Sequence, residues 1–145
     1  MKRKIGGLAA SSRSDGQLPD GMYLVRIERM AYRWEKHKPF YSVRLLVVEP
    51  KPLQGADIAG RLYCTPKALW KLSWFLHDFG YDQELLGRDE IDDRAVVGLR
   101  GVIKVTHTTV NGRTYQNLEA FAPEGEWSEL ATDSLSFDER DPEVA

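Results

Sequence analysis

The sequence predicts a mainly β fold in which five strands are interrupted by one α-helix between the third and the fourth strand. Five segments are rich in β-forming residues and alternate apolar with polar positions. One segment, residues 65–80, has apolar residues at helical spacing. This order of elements is typical of the OB-fold, a small, partly open β-barrel whose helix closes the bottom. A generic α+β sandwich with one helix is the alternative.

The length and composition predict one folded domain with two loose ends. A chain of 145 residues with 42% hydrophobic residues can bury one core. Residues 1–19 are rich in Ser, Gly and charge without periodicity, and predict a disordered basic arm. Residues 20–123 carry the strands and the helix. Residues 124–145 combine few apolar residues with many carboxylates, and predict a disordered acidic tail.

The net charge of −2 conceals an uneven distribution of charges. Residues 1–123 carry 19 Lys and Arg against 14 Asp and Glu, whereas residues 124–145 carry 1 against 8. The body is therefore basic and suits an anionic partner, while the tail could screen that partner or recruit another one.

Cysteine usage and hydropathy indicate the compartment. Cys64 is the only cysteine, which excludes a disulfide within one chain and a thiolate-rich metal site. A reducing, cytoplasmic setting is expected. The basic N-terminus resembles the start of a signal peptide, but the apolar stretch after it is too short, and no segment reaches the length of a membrane helix. We expect no membrane contact.

Three strands precede the helix. They are predicted at residues 22–30, 40–48 and 60–64. Residues 32–39 are predicted to form a loop after the first strand, and residues 50–57, with two prolines and a glycine, a connection to the third.

Strand alternation predicts which side chains of the first two strands face the core, because successive side chains point to opposite faces. The apolar positions expected to face inward are Tyr23, Val25, Ile27, Val43, Leu45 and Val47. This alternation turns Arg26 and Arg44 outward.

The helix over residues 65–80 has a start and an end signal. Thr65 is expected to cap the first turn, Pro66 suits the first helical position, and Gly80 suits a left-handed residue after the last turn. The apolar residues expected on its buried face are Leu69, Leu72, Phe75, Leu76 and Phe79.

Residues 99–110 and 113–121 predict a β-hairpin, because Asn111-Gly112 is the strongest sequence signal for a two-residue turn. An acidic link, residues 82–93, joins the helix to this hairpin. The turn predicts four cross-strand pairs: Val105 with Leu118, Ile103 with Ala120, Lys104 with Glu119, and Thr108 with Tyr115. Apolar and polar pairs fall on separate faces, which supports this register.

Basic and aromatic residues are interleaved where OB barrels bind single-stranded nucleic acid, namely on the second and third strands and in the loops beside them. Such binding requires cations for the phosphates and aromatic rings on which bases stack. The residues predicted to bind are Arg26, Arg44, Arg61 and Tyr63 on the strands, Tyr32, Arg33, Trp34, Lys36, Lys38 and Phe40 in the first loop, and Arg113 and Tyr115 in the second.

These residues also have structural interpretations. Outward arginines on strands are commonly solvated, and Tyr115 can simply pair with Thr108 across the hairpin. Trp70 and Trp74 of the helix are expected in the core or at its rim. Trp34 is more specific, since an exposed tryptophan in so charged a loop has no evident packing reason.

The sequence offers little for catalysis. His37, His77 and His107 lie in separate elements, and none is at metal-ligand spacing with Cys64. Neither a phosphate-cradling glycine motif nor a serine nucleophile motif is present. The acidic link could hold Mg²⁺ for a nuclease, but such runs are commonly solvated or cap a helix. We expect no enzyme activity, no cofactor and no metal site.

Several stretches resemble a family of phage proteins. They are residues 21–28 (GMYLVRIE), the second strand, residues 68–76 (ALWKLSWFL), residues 99–105 (LRGVIKV) and residues 111–117 (NGRTYQN). The family comprises small phage and prophage proteins, formerly a domain of unknown function and now described as OB-fold single-stranded DNA-binding proteins of phage replication and recombination. The resemblance covers residues 21–123.

This resemblance implies a function and partners. It implies a protein that coats single-stranded DNA without strong sequence preference in the cytoplasm of a bacterial host. It also implies that the acidic tail recruits a recombinase, a helicase or a polymerase, although this tail lacks the terminal aromatic residue of cellular tails. The alternative is an OB-like adaptor whose basic surface docks an acidic protein, and a homo-oligomer is left open.

Overall fold

One antiparallel sheet of five strands dominates the structure, a computed structural model that describes residues 18–131. The strands are β1 (Gly21–Glu35), β2 (Lys38–Glu49), β3 (Asp57–Tyr63), β4 (Arg100–Val110) and β5 (Arg113–Pro123). Their order in the sheet is β3-β2-β1-β4-β5, so β3 and β5 are its edges. The prediction of a mainly β fold is confirmed.

Both ends of the folded region extend beyond the predicted boundaries. Leu18, assigned to the disordered arm, is buried in the core. At the other end, Glu124–Glu126 forms a 3-10 turn and residues 127–131 are helical. The Trp127 indole donates a hydrogen bond to the carboxylate of Glu49, so the predicted start of the disordered tail at residue 124 is too early. The predictions for residues 1–17 and 132–145 lie outside the described residues.

The first hairpin is longer than predicted. Residues 32–39 are not a loop but the ends of β1 and β2, with Trp34 opposite Pro39. A two-residue turn of Lys36 and His37 joins the strands, and both residues have positive φ, 51° and 64°. Two turn residues in the left-handed conformation match the twist of the strands in a hairpin. Lys36 and His37 are not the Asn and Gly that signal such a turn in a sequence, so the sequence does not predict this turn.

A β-bulge in β1 changes which side chains face outward beyond Ile27. The pairing continues with Arg29 opposite Arg44, so Glu28 is the extra residue. Strict alternation would turn Arg29 inward and Met30 outward, but Met30 is buried and Arg29 is exposed. The inward positions predicted on these two strands are all buried: Tyr23, Val25, Ile27, Val43, Leu45 and Val47.

The main helix, α1 (Leu69–Asp78), is shorter than the predicted span of 65–80. Thr65 contributes its backbone carbonyl to the first turn, and no side-chain cap forms. Gly80 adopts the predicted left-handed conformation, with φ of 80°. Leu69 is 47% exposed, contrary to prediction, because it lies in the first turn beyond the edge of the core. The remaining apolar residues of the face are buried as predicted: Leu72, Phe75, Leu76 and Phe79.

Two short helices, α2 (Gln83–Gly87) and α3 (Asp93–Val96), occupy the segment predicted as an acidic link, so the fold has more than the one predicted helix. The Asp82 carboxylate accepts hydrogen bonds from amides in the first turn of α2. The Asp92 carboxylate does the same for α3. Acidic residues of this link therefore cap helices.

The β4–β5 hairpin turns at Asn111 and Gly112 as predicted. Both turn residues have positive φ, 51° and 78°, as the two-residue turn requires. The pairs that this turn predicts correctly are Val105 with Leu118 and Thr108 with Tyr115.

A bulge at Glu119 changes the rest of the predicted register. Ile103 lies opposite Phe121 and not Ala120, and Lys104 lies opposite Ala120 and not Glu119. The extra residue turns the larger Phe121 ring into the core, where it is 6% exposed. The Lys104 ammonium still lies 3.3 Å from the Glu119 carboxylate.

The edge strands β3 and β5 face each other without a backbone ladder, so the barrel is not closed. β3 begins at Asp57, within the segment predicted as a connection. Gln116 on β5 donates a side-chain hydrogen bond of 3.3 Å to the carbonyl of Ala59 on β3. Gly60 permits this approach, since a Cβ there would lie 2.6 Å from a methyl carbon of Leu118.

Candidate nucleic-acid interface

The outward surface of β1, β2 and β3 carries side chains in rows that cross the three strands. Cross-strand partners share one face of a sheet and lie side by side. The rows are Arg29, Arg44 and Ala59; then Ala31, Ser42 and Arg61; then Arg33, Phe40 and Tyr63. We call this surface the basic face, and its exposed cations are Arg26, Arg29, Arg33, Lys38, Arg44 and Arg61.

A groove of about 280 Å³ crosses the basic face. Small side chains, Ala59 in the first row and Ala31 and Ser42 in the second, leave this space open. The groove is lined by Ala31, Ser42, Val43 and Ala59, by three arginines, Arg29, Arg33 and Arg44, and by Asp57, whose carboxylate is paired with Arg44. Such a groove suits an elongated anion more than a bulky or neutral ligand.

Carboxylates pair with two of the cations on the basic face. Arg44 lies 3.1 Å from Glu28 and 2.9 Å from Asp57, and Arg61 lies 3.0 Å from Glu35. The hydrogen bond and charge of Asp57 raise the pKa of Arg44 above its ordinary value. Within residues 18–131, the cations without a carboxylate partner on this face are Arg26, Arg29, Arg33 and Lys38. The six cations outnumber the carboxylates on this face, those of Glu28, Glu35, Glu49 and Asp57, and leave it positive.

Phe40 lies beneath Arg61 and beside Tyr63. The central carbon of the Arg61 guanidinium is 4.5 Å from the centroid of the Phe40 ring, and the Tyr63 ring is 5.5 Å away. Phe40 is only 4% exposed. In this structure the ring therefore supports Arg61 through a cation–π contact, Tyr63 is the neighbouring ring that reaches the surface, and base stacking on Phe40 stays a prediction.

Tyr32 and Trp34 lie on the opposite side of the first hairpin from Arg33. Tyr32 pairs with Tyr41 across the strands, and its ring contacts Tyr41 at 5.4 Å and Trp34 at 6.5 Å, edge to face. Tyr32 and Trp34 remain 47% and 63% exposed. Tyr41 is half-buried, and this burial raises its pKa to about 12. The aromatic residues of the first hairpin thus form a second surface.

A cleft of about 790 Å³ separates β3 from β5. Arg61 and Tyr63 line its β3 side, and Tyr115 lines its β5 side. Lys71 of α1 also reaches the cleft, and burial lowers the pKa of its ammonium group. Arg113 follows the turn of the second hairpin, two residues before Tyr115. Tyr115 is therefore accessible from the basic face across this cleft.

The structure brings together part of the predicted set. The residues that share the basic face are Arg26, Arg33, Lys38, Phe40, Arg44, Arg61 and Tyr63. Those that lie elsewhere are Tyr32 and Trp34 on the reverse of the first hairpin, Lys36 in its turn, and Arg113 and Tyr115 on the second hairpin. Arg29 is absent from the prediction because strict alternation turns it inward. An inward Arg29 followed by an outward Met30 is a conflict in the sequence that indicates the bulge.

Residues 18–131 contain no group of three or more His, Cys, Asp or Glu side chains that could hold a metal ion. No helix in this region is long and apolar enough to cross a membrane.

In comparison with known proteins, the chain matches no family model and no curated protein.

Proposed function

We propose that this domain binds single-stranded DNA without sequence preference, as a partly open barrel of the OB type. One observation carries the proposal: six cations and an accessible tyrosine share one surface of β1, β2 and β3, around a groove with a floor of small residues. Two edge strands that face each other across a cleft fit a five-stranded barrel that is not fully closed.

The binding follows from two kinds of contact. Guanidinium and ammonium groups of the basic face neutralise phosphates and release counterions. Aromatic rings provide surfaces for the bases, which stack whatever their identity because every base has a π-face. Tyr63 and Tyr115 offer such rings at the cleft, and Trp34 offers one at the end of the first hairpin. The chain acts without catalysis, in phage DNA replication or recombination, and its acidic tail recruits a partner protein of that process.

A titration with three nucleic acids tests this function. Intrinsic tryptophan fluorescence and gel shifts are followed while oligo-dT, a duplex of equal length or single-stranded RNA is added at two salt concentrations. If three to five phosphates are neutralised, log K for oligo-dT should fall with log salt at a slope of roughly −2 to −3.5. Unchanged emission together with no gel shift at low salt would reject the proposal. Selective capture of an acidic protein that oligo-dT cannot displace would instead identify an adaptor.

A further inference from the structure

We infer that the groove on the basic face binds the phosphodiester backbone, with Arg29 and Arg33 as its phosphate ligands. The inference rests on the proposed function and adds which of the cations meet the DNA strand. It gives Arg44 and Arg61 a different role, that of positioning residues within the face.

The partners of Arg44 explain its positioning role. Its Nε lies 3.1 Å from the Glu28 carboxylate on β1, and its Nη2 donates to the Asp57 carboxylate at 2.9 Å on β3. Arg44 is on β2, so the two ion pairs connect three neighbouring strands. A phosphate would have to compete with two carboxylates that already occupy these donors. In the same way, Arg61 already forms an ion pair with Glu35 and a cation–π contact with the Phe40 ring.

Arg29 and Arg33 have no comparable contacts within residues 18–131. Both are exposed, both line the groove, and neither forms an ion pair with a carboxylate of residues 18–131. They are four residues apart on β1, which separates them by about 13 Å along the strand and places them on the same side. Ala31 lies between them, so no large side chain blocks the path from one guanidinium to the other. Their charge is available to a bound phosphate chain.

The shape of the groove supports a backbone and not a base as its occupant. Its floor is Ala31, Ser42 and Ala59, which include no aromatic ring for stacking. The aromatic Tyr63 lies at the end of the rows, next to the cleft. Phosphates in the groove would therefore leave the bases directed toward the cleft.

The test compares two double variants that each remove two positive charges. In Arg29→Gln/Arg33→Gln the groove loses both free guanidinium groups. Arg88→Gln/Arg94→Gln is the matched control, because these arginines are exposed in and beside the short helices and far in sequence from the groove. Binding of each full-length protein to oligo-dT and to an abasic oligomer of equal length is measured from 50 to 200 mM salt, with thermal unfolding as the folding control.

The groove variant should lower the steepness of log K against log salt by about 1.4. The factor by which its affinity falls between 50 and 200 mM salt should therefore be about sevenfold smaller than the factor for the wild type. The reduction should be equal on the abasic oligomer, since a phosphate contact needs no base. A slope that stays equal to that of the control, in a protein that binds oligo-dT, would overturn this inference and leave the proposed function intact. If wild-type protein fails to bind oligo-dT at all, both are overturned.

A third variant tests the groove without altering charge. Ala59→Phe would fill the floor from β3, at an exposed position of the edge strand. It should weaken the binding of oligo-dT and bring the slope of log K against log salt toward that of Arg29→Gln/Arg33→Gln. Wild-type affinity and slope in a folded Ala59→Phe protein would show that DNA does not enter the groove, and would overturn the inference.

Discussion

The guanidinium of Arg61 on β3 lies over the ring of Phe40 on β2, with 4.5 Å between the central carbon and the ring centroid. The contact joins a cation and an aromatic residue that are both predicted from the sequence to meet DNA. In the structure they meet each other, because the register places Phe40 and Tyr63 in one row with Arg61 next to it. An aromatic residue on an outward face is therefore not always an available stacking surface.

Phe40→Ala should lower the free energy of unfolding by about 3 kcal/mol, because a ring that is 4% exposed leaves a void under Arg61 and Tyr63. Urea unfolding measures this change. Exposed Tyr115→Ala on the second hairpin is the control and should cost much less. Unaltered stability of Phe40→Ala together with lost DNA binding would restore the interpretation of Phe40 as a stacking platform.

Trp34→Ala should weaken the binding of oligo-dT by about 1–3 kcal/mol if bases stack on this ring. Stability should hardly change, since the side chain is 63% exposed. Trp70→Ala is a matched control, because Trp70 is 61% exposed but lies on α1 and stacks on Trp74. Fluorescence anisotropy of a labelled oligonucleotide gives both affinities. Equal affinities for the two variants would assign Trp34 to a surface that DNA does not reach.

The sequence allows the inward face of the strands to be predicted wherever pairs alternate without interruption. Val43, Leu45 and Val47 are buried and Arg44 is exposed, because each step along a strand reverses the side chain. The same logic fails after Glu28, where one extra residue turns Arg29 outward. Within β1 the trace of the bulge is the conflict between an inward Arg29 and an outward Met30, and the position of the extra residue is fixed only by the pairing with β2.

The two hairpins show why turn chemistry decides how much of the site can be predicted. Asn111 and Gly112 predict a two-residue turn, and the cross-strand pairs of β4 and β5 nearest to this turn are predicted correctly. Lys36 and His37 adopt a comparable left-handed turn without that signal, so the register of β1 and β2 is not predictable. The identity of the basic residues follows from the sequence, but the ion pairs of Arg44 with Glu28 and Asp57 depend on how β2 pairs with β1 and β3.

Gly101→Ala should destabilise the fold by about 1–3 kcal/mol through overpacking. A Cβ at this position would lie 2.6 Å from ring atoms of Phe79, which is 2% exposed and packed 4.4 Å from the Phe75 ring, so the neighbour has little room to move. Gly125→Ala, with nothing within 4 Å, should stay within about 0.5 kcal/mol of wild type. Thermal unfolding of the two variants compares them directly. Equal midpoints would show that β4 can shift away from α1 without cost.

Tyr41→Phe should reduce the loss of stability that the protein shows in alkaline solution. Burial raises the pKa of Tyr41 from 10.0 to about 12. Its contribution is fully present below the unfolded pKa near 10, and it is lost as the pH rises toward 12, because the unfolded state releases its proton first. Burial is also the chief cause of the raised pKa values of Tyr23 and Cys64. Wild type and Tyr41→Phe both contain these two residues, so the difference in stability between the two proteins isolates Tyr41.

The measurement for Tyr41 is urea unfolding of wild type and Tyr41→Phe at a series of pH values from 8 to 11. The stability difference between the two proteins should be constant up to about pH 10 and should then shift in favour of the variant, because only the wild type has this phenol to ionise. Tyr115→Phe, at an exposed position of the second hairpin, is the control for the loss of one phenol. A Tyr41→Phe curve that runs parallel to the wild type up to pH 11 would show that the Tyr41 hydroxyl is as well solvated in the folded protein as in the unfolded chain.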